Sequence, residues 1–397
     1  MDVIHSIVHI HLELCMHIIY PGVNPNPITR CAEPTINAQL TVPTGLVDVH
    51  THAIDAELPD LGRVYPHDRW PIVQRANETE AQLMFGGVPY RAVDHRCWSP
   101  KARIIDMDSE GVAMQVLSPI PVTFCYSASA TGAAELAAAQ NEFFARITLA
   151  HPTRFAALGA VPLQDPDRAV DEMRRCMGYR GFFGVEIGTR VGDTELADPS
   201  LDRFFAVAHE LGALVVVHPS DQDLPHRVVE MGVGFGAGMP IETALAAAAL
   251  IARGALARRP EVRICLAHGG GALPAMIGRL DKGATITGVS ADSPELPSRL
   301  ARQLWCDSLT YNREALHAAV DVFGHDHVVF GSDYPFQAMP EPLDDIVSTL
   351  PADLRRRICR TNLEEHYGAL PGSRHDPLSP AGRHRRTYGR PAALDGH

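Results

Sequence analysis

Five side chains able to hold a metal ion or pass protons, His50, His52, His218, His268 and Asp333, each stand where a short apolar run ends. In Leu46-Val47-Asp48-Val49-His50-Thr51-His52 the histidines are two apart, and a strand turns residues i and i+2 to one side. That pair can bind one metal ion, or it can be two polar residues closing a strand. Leu214–Val217 leads to His218, alone as consistent with a buried structural histidine. Val328–Phe330 leads through Gly331 and Ser332 to Asp333, which alone would cap the next helix. Three strand ends bringing three imidazoles and a carboxylate to one cavity suit a borderline divalent metal, Zn²⁺ above others, with a position left for water. His268 closes Ile264–Ala267 and precedes Gly269-Gly270-Gly271, a turn that would let a substrate approach the backbone. It serves as a further ligand or a support for one, or, the reading preferred here, as a general acid/base.

The elements that must position these residues are legible as alternating runs. Gly45–His52, Ala113–Ile120, Phe155–Leu163, Gly181–Ile187, Ala213–Pro219, Arg263–His268, Leu304–Leu309 and Val328–Asp333 read as eight strands. Between them Ala133–Ala150, Pro166–Met177, Ser200–Leu211, Ile241–Arg258 and Arg313–Phe323 read as helices. Eight βα units with polar residues gathered at the strand ends predict an α/β fold, a TIM-type (β/α)8 barrel over residues 45–370. Residues 53–100 are too long for a plain βα loop and predict an insertion or lid after strand 1. Residues 1–44 read as an irregular N-terminal arm and 371–397, rich in Pro, Gly and Arg, as a disordered tail.

Composition narrows the partners. Thirty-five Lys+Arg against 47 Asp+Glu give a net charge of −12, which repels phosphate backbones and anionic lipid, so neither nucleic acid nor membrane is expected. Eight cysteines without a CxxC pair read as reduced thiols, and Val3–Tyr20 lacks the basic start and small-residue cleavage site of a signal peptide. The Ala-rich run Ala244–Leu256, broken by Arg253 and Gly254, reads as a buried helix. A cytoplasmic enzyme is expected.

Over Gly45–Tyr367 the chain resembles the amidohydrolase superfamily, specifically its decarboxylating branch, and within it the 2-amino-3-carboxymuconate-6-semialdehyde decarboxylase family. The resemblance rests on D-V-H-T-H, V-P-L-Q-D (Val161–Asp165), V-V-H-P, H-G-G-G followed by Arg279, and G-S-D-Y-P-F. It implies that His50, His52, His218 and Asp333 bind zinc and that His268 activates water at the metal. It implies that Arg91, in Val88-Pro89-Tyr90-Arg91, binds a substrate carboxylate, and that Phe336 lines the substrate pocket. Arg279 matches an arginine that reaches the site of a neighbouring subunit, which implies a homodimer. The activity implied is non-oxidative decarboxylation of a small unsaturated or aromatic mono- or dicarboxylate, inside a protein whose acidity makes local arginine forks necessary.

Two positions depart from that family. Ser220 follows His218-Pro219 where a tryptophan is expected, and Glu186 stands where a glutamine is expected. Glu186 can be a second-metal ligand, a proton donor or, the favoured reading, the partner of a nearby arginine. The alternative function is a mononuclear hydrolase of an amide, lactone or cyclic ester; hydration of an oxo-dicarboxylate is a third. The only lysines, Lys101 and Lys282, lie far from the end of strand 4, so a carboxylated-lysine bridge between two metals is unavailable. An idle barrel that merely binds a ligand is disfavoured by the complete set of ligands and His268.

Overall fold

The computed structural model describes residues 45–287, 295–336 and 345–367; the expected arm (1–44) and tail (371–397), with Cys15 and Cys31, lie outside them. Eight parallel strands form one sheet in chain order: β1 Leu46–Ala53, β2 Val112–Pro119, β3 Phe155–Ala160, β4 Phe182–Ile187, β5 Leu214–Val217, β6 Arg263–Leu266, β7 Trp305–Asp307 and β8 Val328–Val329. The sheet closes on itself. Thr51 bridges Tyr334, and β1 meets the end of β8 through Val49 N–H to Phe330 O at 2.9 Å and Asp333 N–H to His50 O at 2.9 Å. The expected barrel is therefore present, and the strands fall where the apolar runs placed them.

Two apolar layers hold it. Val47, Val49, Met114, Val116, Leu158, Val216, Cys265, Trp305 and Val329 fill the interior, while the opposite faces pack on the surrounding helices. Helices over Pro166–Met177 and Arg313–Phe323 match the sequence reading; Asp165 and Asn312 cap them by accepting backbone N–H groups. The run expected as one helix over 241–258 is two, Met239–Ala252 and Ala255–Arg258, parted by Gly254 in a left-handed conformation. The longer stretch Gly234–Ala252 is apolar enough to cross a membrane by length and composition, but Ala244, Ala247, Leu250 and Ile251 are buried against the barrel. The six described cysteines are buried.

The insertion after β1 carries a three-stranded antiparallel sheet, Pro71–Arg75, Glu80–Phe85 and Val88–Asp94. It has its own apolar cluster, with Trp70 buried against the helix Ala130–Ala150, where a Cβ on Gly132 would stand 2.6 Å from the Trp70 ring. Leu83 pairs with Arg91 but Met84 pairs with Pro89, so Tyr90 is an extra residue in its strand. This bulge lets the consecutive residues Tyr90 and Arg91 both face one cavity, which regular alternation forbids.

Candidate active site

Regular alternation would also misplace the first histidines. Val47 and Val49 already point into the barrel, so His50 and His52 would point out. Between Asp48 and Thr51 the register with β2 slips: three steps along β1 match two from Gln115 to Leu117. The extra residue reverses the phase and turns both histidines into the barrel mouth. β5 needs no such device, because Val216 faces in and His218, two residues on, does too.

Each imidazole is oriented from behind. His50 Nδ1 lies 2.6 Å from Asp307 Oδ2, His52 Nδ1 2.9 Å from the Pro119 carbonyl and His218 Nδ1 2.7 Å from the Pro219 carbonyl. Carbonyl and carboxylate oxygens only accept, so every Nδ1 carries the proton and each Nε2 of the uncharged rings presents a lone pair. Asp333 Oδ1 is 3.0 Å from His52 Nε2 and 3.7 Å from His50 Nε2, and His218 Nε2 is buried with no hydrogen-bond partner. One atom from each of His50, His52, His218 and Asp333 falls within 4.8 Å of the other three. With the rings uncharged, lone pairs converging so closely repel unless a cation lies among them, so these residues fit a divalent metal.

The charges agree. Burial pushes the Asp333 carboxyl up, but the hydrogen bond and charge of His52 and the charges of His50 and His268 outweigh it and hold the pKa at about 2. Burial works against a charged His50, yet Asp307, Asp333 and Glu186 together raise it to about 9. Burial depresses His218 well below the ordinary histidine value, and neighbouring His268 and His50 add to the effect.

His268 leaves β6 with φ of 58°, a left-handed conformation that a side chain seldom adopts. Its ring centroid lies 4.8 Å from that of His218 and 5.3 Å from that of His50. Burial and the His50 charge lower its pKa to about 4, so it is neutral near pH 7, and its Nδ1 has no hydrogen-bond partner. The glycines after it also serve packing, and Gly269 and Gly271 line a cavity beside His268. All three have positive φ, and a Cβ on Gly269, Gly270 or Gly271 would collide with Thr310, Phe323 or the Pro240 carbonyl.

A cavity of about 340 Å³ opens over these groups, lined by His52, His218, His268, Asp333, Arg91 and Phe336 among others. The Arg91 guanidinium stacks 4.6 Å from the Phe336 ring, whose centroid is 5.9 Å from that of His52. Tyr90 donates to Asp221 Oδ2 at 2.7 Å, tying the insertion to the loop after β5 across the same cavity.

Residues 47–369 match the amidohydrolase family. The chain belongs to that family. It is 33% identical over 330 residues to 2-amino-3-carboxymuconate-6-semialdehyde decarboxylase of Dictyostelium discoideum, covering 82% of this chain and 92% of the relative. It is 27% identical over 343 residues to gamma-resorcylate decarboxylase of Rhizobium sp. strain MTP-10005, covering 80% and 96%. Its fold superimposes with a TM-score of 0.66 on dihydroxybenzoic acid decarboxylase of Polaromonas sp. JS666, solved with bound manganese and the inhibitor 2-nitroresorcinol; that pair is 21% identical, over 81% and 96% of the chains.

Within this amidohydrolase barrel the remaining sequence candidates separate. Arg279 is away from the cavity: it is exposed on the helix Leu273–Thr287, beside an apolar hollow bounded by Ile251, Met276 and Leu280. Ser220 is buried and caps a short turn by accepting from Gln222 N–H, while Asp221 lines the cavity beside it. Among the described residues Glu186 does not meet an arginine. It points into the barrel 4.0 Å from His52 Nδ1, with Oε1 lacking a hydrogen-bond partner, and burial raises its pKa.

Three residues escaped the sequence reading. Asp307 ends β7 and accepts from His50 Nδ1, His268 N–H and Gly269 N–H, joining His50 to His268. Its strand-end position after an apolar run was the available signal. Asp48 holds the β8 end through Ser332 Oγ at 2.5 Å and Ser332 N–H at 3.2 Å. Arg103, 1% exposed, donates to Gln115 Oε1, to the His52 and Arg96 carbonyls and to Thr51 Oγ1. A lone arginine on an amphipathic helix gives no sequence signal of such burial.

Proposed function

We propose that this amidohydrolase decarboxylates a small unsaturated or aromatic carboxylic acid, with His50, His52, His218 and Asp333 as metal ligands and His268 as general acid/base. The observation that carries the reading is the joint placement of four convergent donors, a neutral buried imidazole and the Arg91 guanidinium around one cavity. The similarity to decarboxylases of an aminocarboxymuconate and of gamma-resorcylate supports it. Loss of CO₂ breaks the bond to the carboxylate carbon and leaves its electron pair on the neighbouring carbon, where a proton must be placed.

His50, His52, His218 and Asp333 would hold a divalent cation, which would supply Lewis acidity to a substrate oxygen. His268 starts neutral, takes a proton from a substrate hydroxyl or from water, and returns it to the carbon that loses CO₂. Arg91, fixed by its stack on Phe336, grips a carboxylate and sets the angle of that carbon to His268. Three imidazoles and a carboxylate favour Zn²⁺. The Polaromonas structure holds manganese, so the metal in protein isolated without added metal selects between them.

Arg279 completes the site from a second copy in this reading, making a homodimer. Exposed Ile241 and Leu245, on the helix that also walls the hollow beside Arg279, supply an apolar contact face. The free thiols of Cys97, Cys125, Cys176, Cys265 and Cys306 fit a reducing cytoplasm. The test offers metal-loaded protein 2-amino-3-carboxymuconate semialdehyde, generated in situ, and a set of hydroxybenzoates, with CO₂ as readout. Turnover of the muconate or of a hydroxybenzoate assigns the substrate; turnover of neither, with metal bound, moves the reading to hydrolysis of lactones or amides.

A further inference from the structure

The catalytic cavity does not end at His268. A second cavity, of about 430 Å³, adjoins it and shares Phe235, Met239 and His268 with it. Beyond that partition the walls are mainly apolar, with Pro240, Pro274, Leu309, Ala315 and Ala318. The Thr310 hydroxyl there is already spent on the Asn312 carbonyl at 2.9 Å. The partition itself is adjustable. Phe235 lies in the glycine-rich turn Gly234–Gly238, is more than half exposed and meets Tyr311 edge to face at 5.7 Å; Met239 is a flexible thioether.

A substrate confined to the carboxylate-binding side would leave this apolar space to water, whereas an apolar group filling it gains the free energy of burial. We propose that the second cavity is a substrate subsite, and that the acid decarboxylated here carries an apolar substituent of several carbons. The substituent passes His268 and lies between Leu309 and Ala318. This inference rests on the decarboxylase reading and adds the substrate class to it. Phe235 and Met239 become the residues that admit or refuse the substituent.

The test measures binding of benzoate and of its 3- and 4-ethyl and 3- and 4-butyl homologues to the metal-loaded protein by calorimetry. The same series is run on Ala318→Phe and Ala315→Leu, which narrow the second cavity from one helix at two positions. The expected result is roughly a tenfold gain in affinity from benzoate to at least one butyl homologue, with the ratio falling to about one in either variant. Equal affinities across the series, or a gain that survives in both variants, overturn the subsite. Failure of every acid to bind overturns the carboxylate-binding reading beneath it. Carbon dioxide release from an unsubstituted acid, together with a flat alkyl series, leaves the decarboxylase reading standing and rejects only the subsite.

Discussion

Asp307 shows how much of the site depends on a residue outside the four converging donors. It orients His50 through Nδ1 and fixes the backbone at His268 and Gly269, with both oxygens in use. Asp307→Asn should weaken metal affinity by about 10- to 100-fold, measured by competition with a chelator, because an amide orients the ring less firmly and lowers its basicity. His268→Ala should instead keep the metal and lose roughly 10²–10⁴ in kcat. The raised pKa of His50 sets a pH dependence with a definite sign. Below about 9 its proton must leave before the metal can bind, while His218 is already neutral. Apparent metal affinity should therefore rise about tenfold per pH unit from neutrality and level off above about 9. Calorimetry in buffers of different ionisation enthalpy should find about one proton released per metal at pH 7.5; release of none contradicts the charge assignment.

At the scale of elements, the barrel was legible because its signals are local: apolar runs of strand length, capping residues and histidines two apart. The exceptions depend on contacts distant in sequence. The bulge that turns His50 and His52 inward exists only in the register between β1 and β2, and the Tyr90 bulge only in the pairing of the insertion. The glycine turn after His268 borders the second cavity, and its missing side chains also make room for Thr310, Phe323 and Pro240, a packing demand that no local pattern signals. Gly331 follows the same logic, since a Cβ there would stand 2.7 Å from His50 Cβ and 2.9 Å from Asp307 Cβ. Arg103 joins β1, β2 and the insertion below the metal donors, with all four of its acceptors buried or half-buried. Arg103→Met should cost about 3 kcal/mol in denaturant unfolding, because it strands those acceptors without water. The corresponding change at exposed Arg63, whose partner Asp60 is also exposed, should cost under about 1 kcal/mol.

At the scale of the whole molecule, one chain holds four donors, His268 and one arginine, Arg91, around its cavity, while Arg279 faces outward. The proposed sharing of Arg279 between copies makes a strong prediction. His268→Ala and Arg279→Ala proteins, each inactive, should regain activity at about a quarter of the sites when mixed and allowed to exchange subunits, since a mixed dimer rebuilds one complete site. No recovery despite exchange, seen by light scattering and labelled subunits, would remove Arg279 from the site. The central claim is tested most directly by following CO₂ release and acid consumption together in protein stripped of metal and then reloaded. The expected result is one CO₂ per acid consumed, absent from the stripped protein, restored by Zn²⁺ or Mn²⁺ and lost in His218→Ala. Acid formed or consumed by the reloaded protein without CO₂, or CO₂ release that persists without metal, would contradict it.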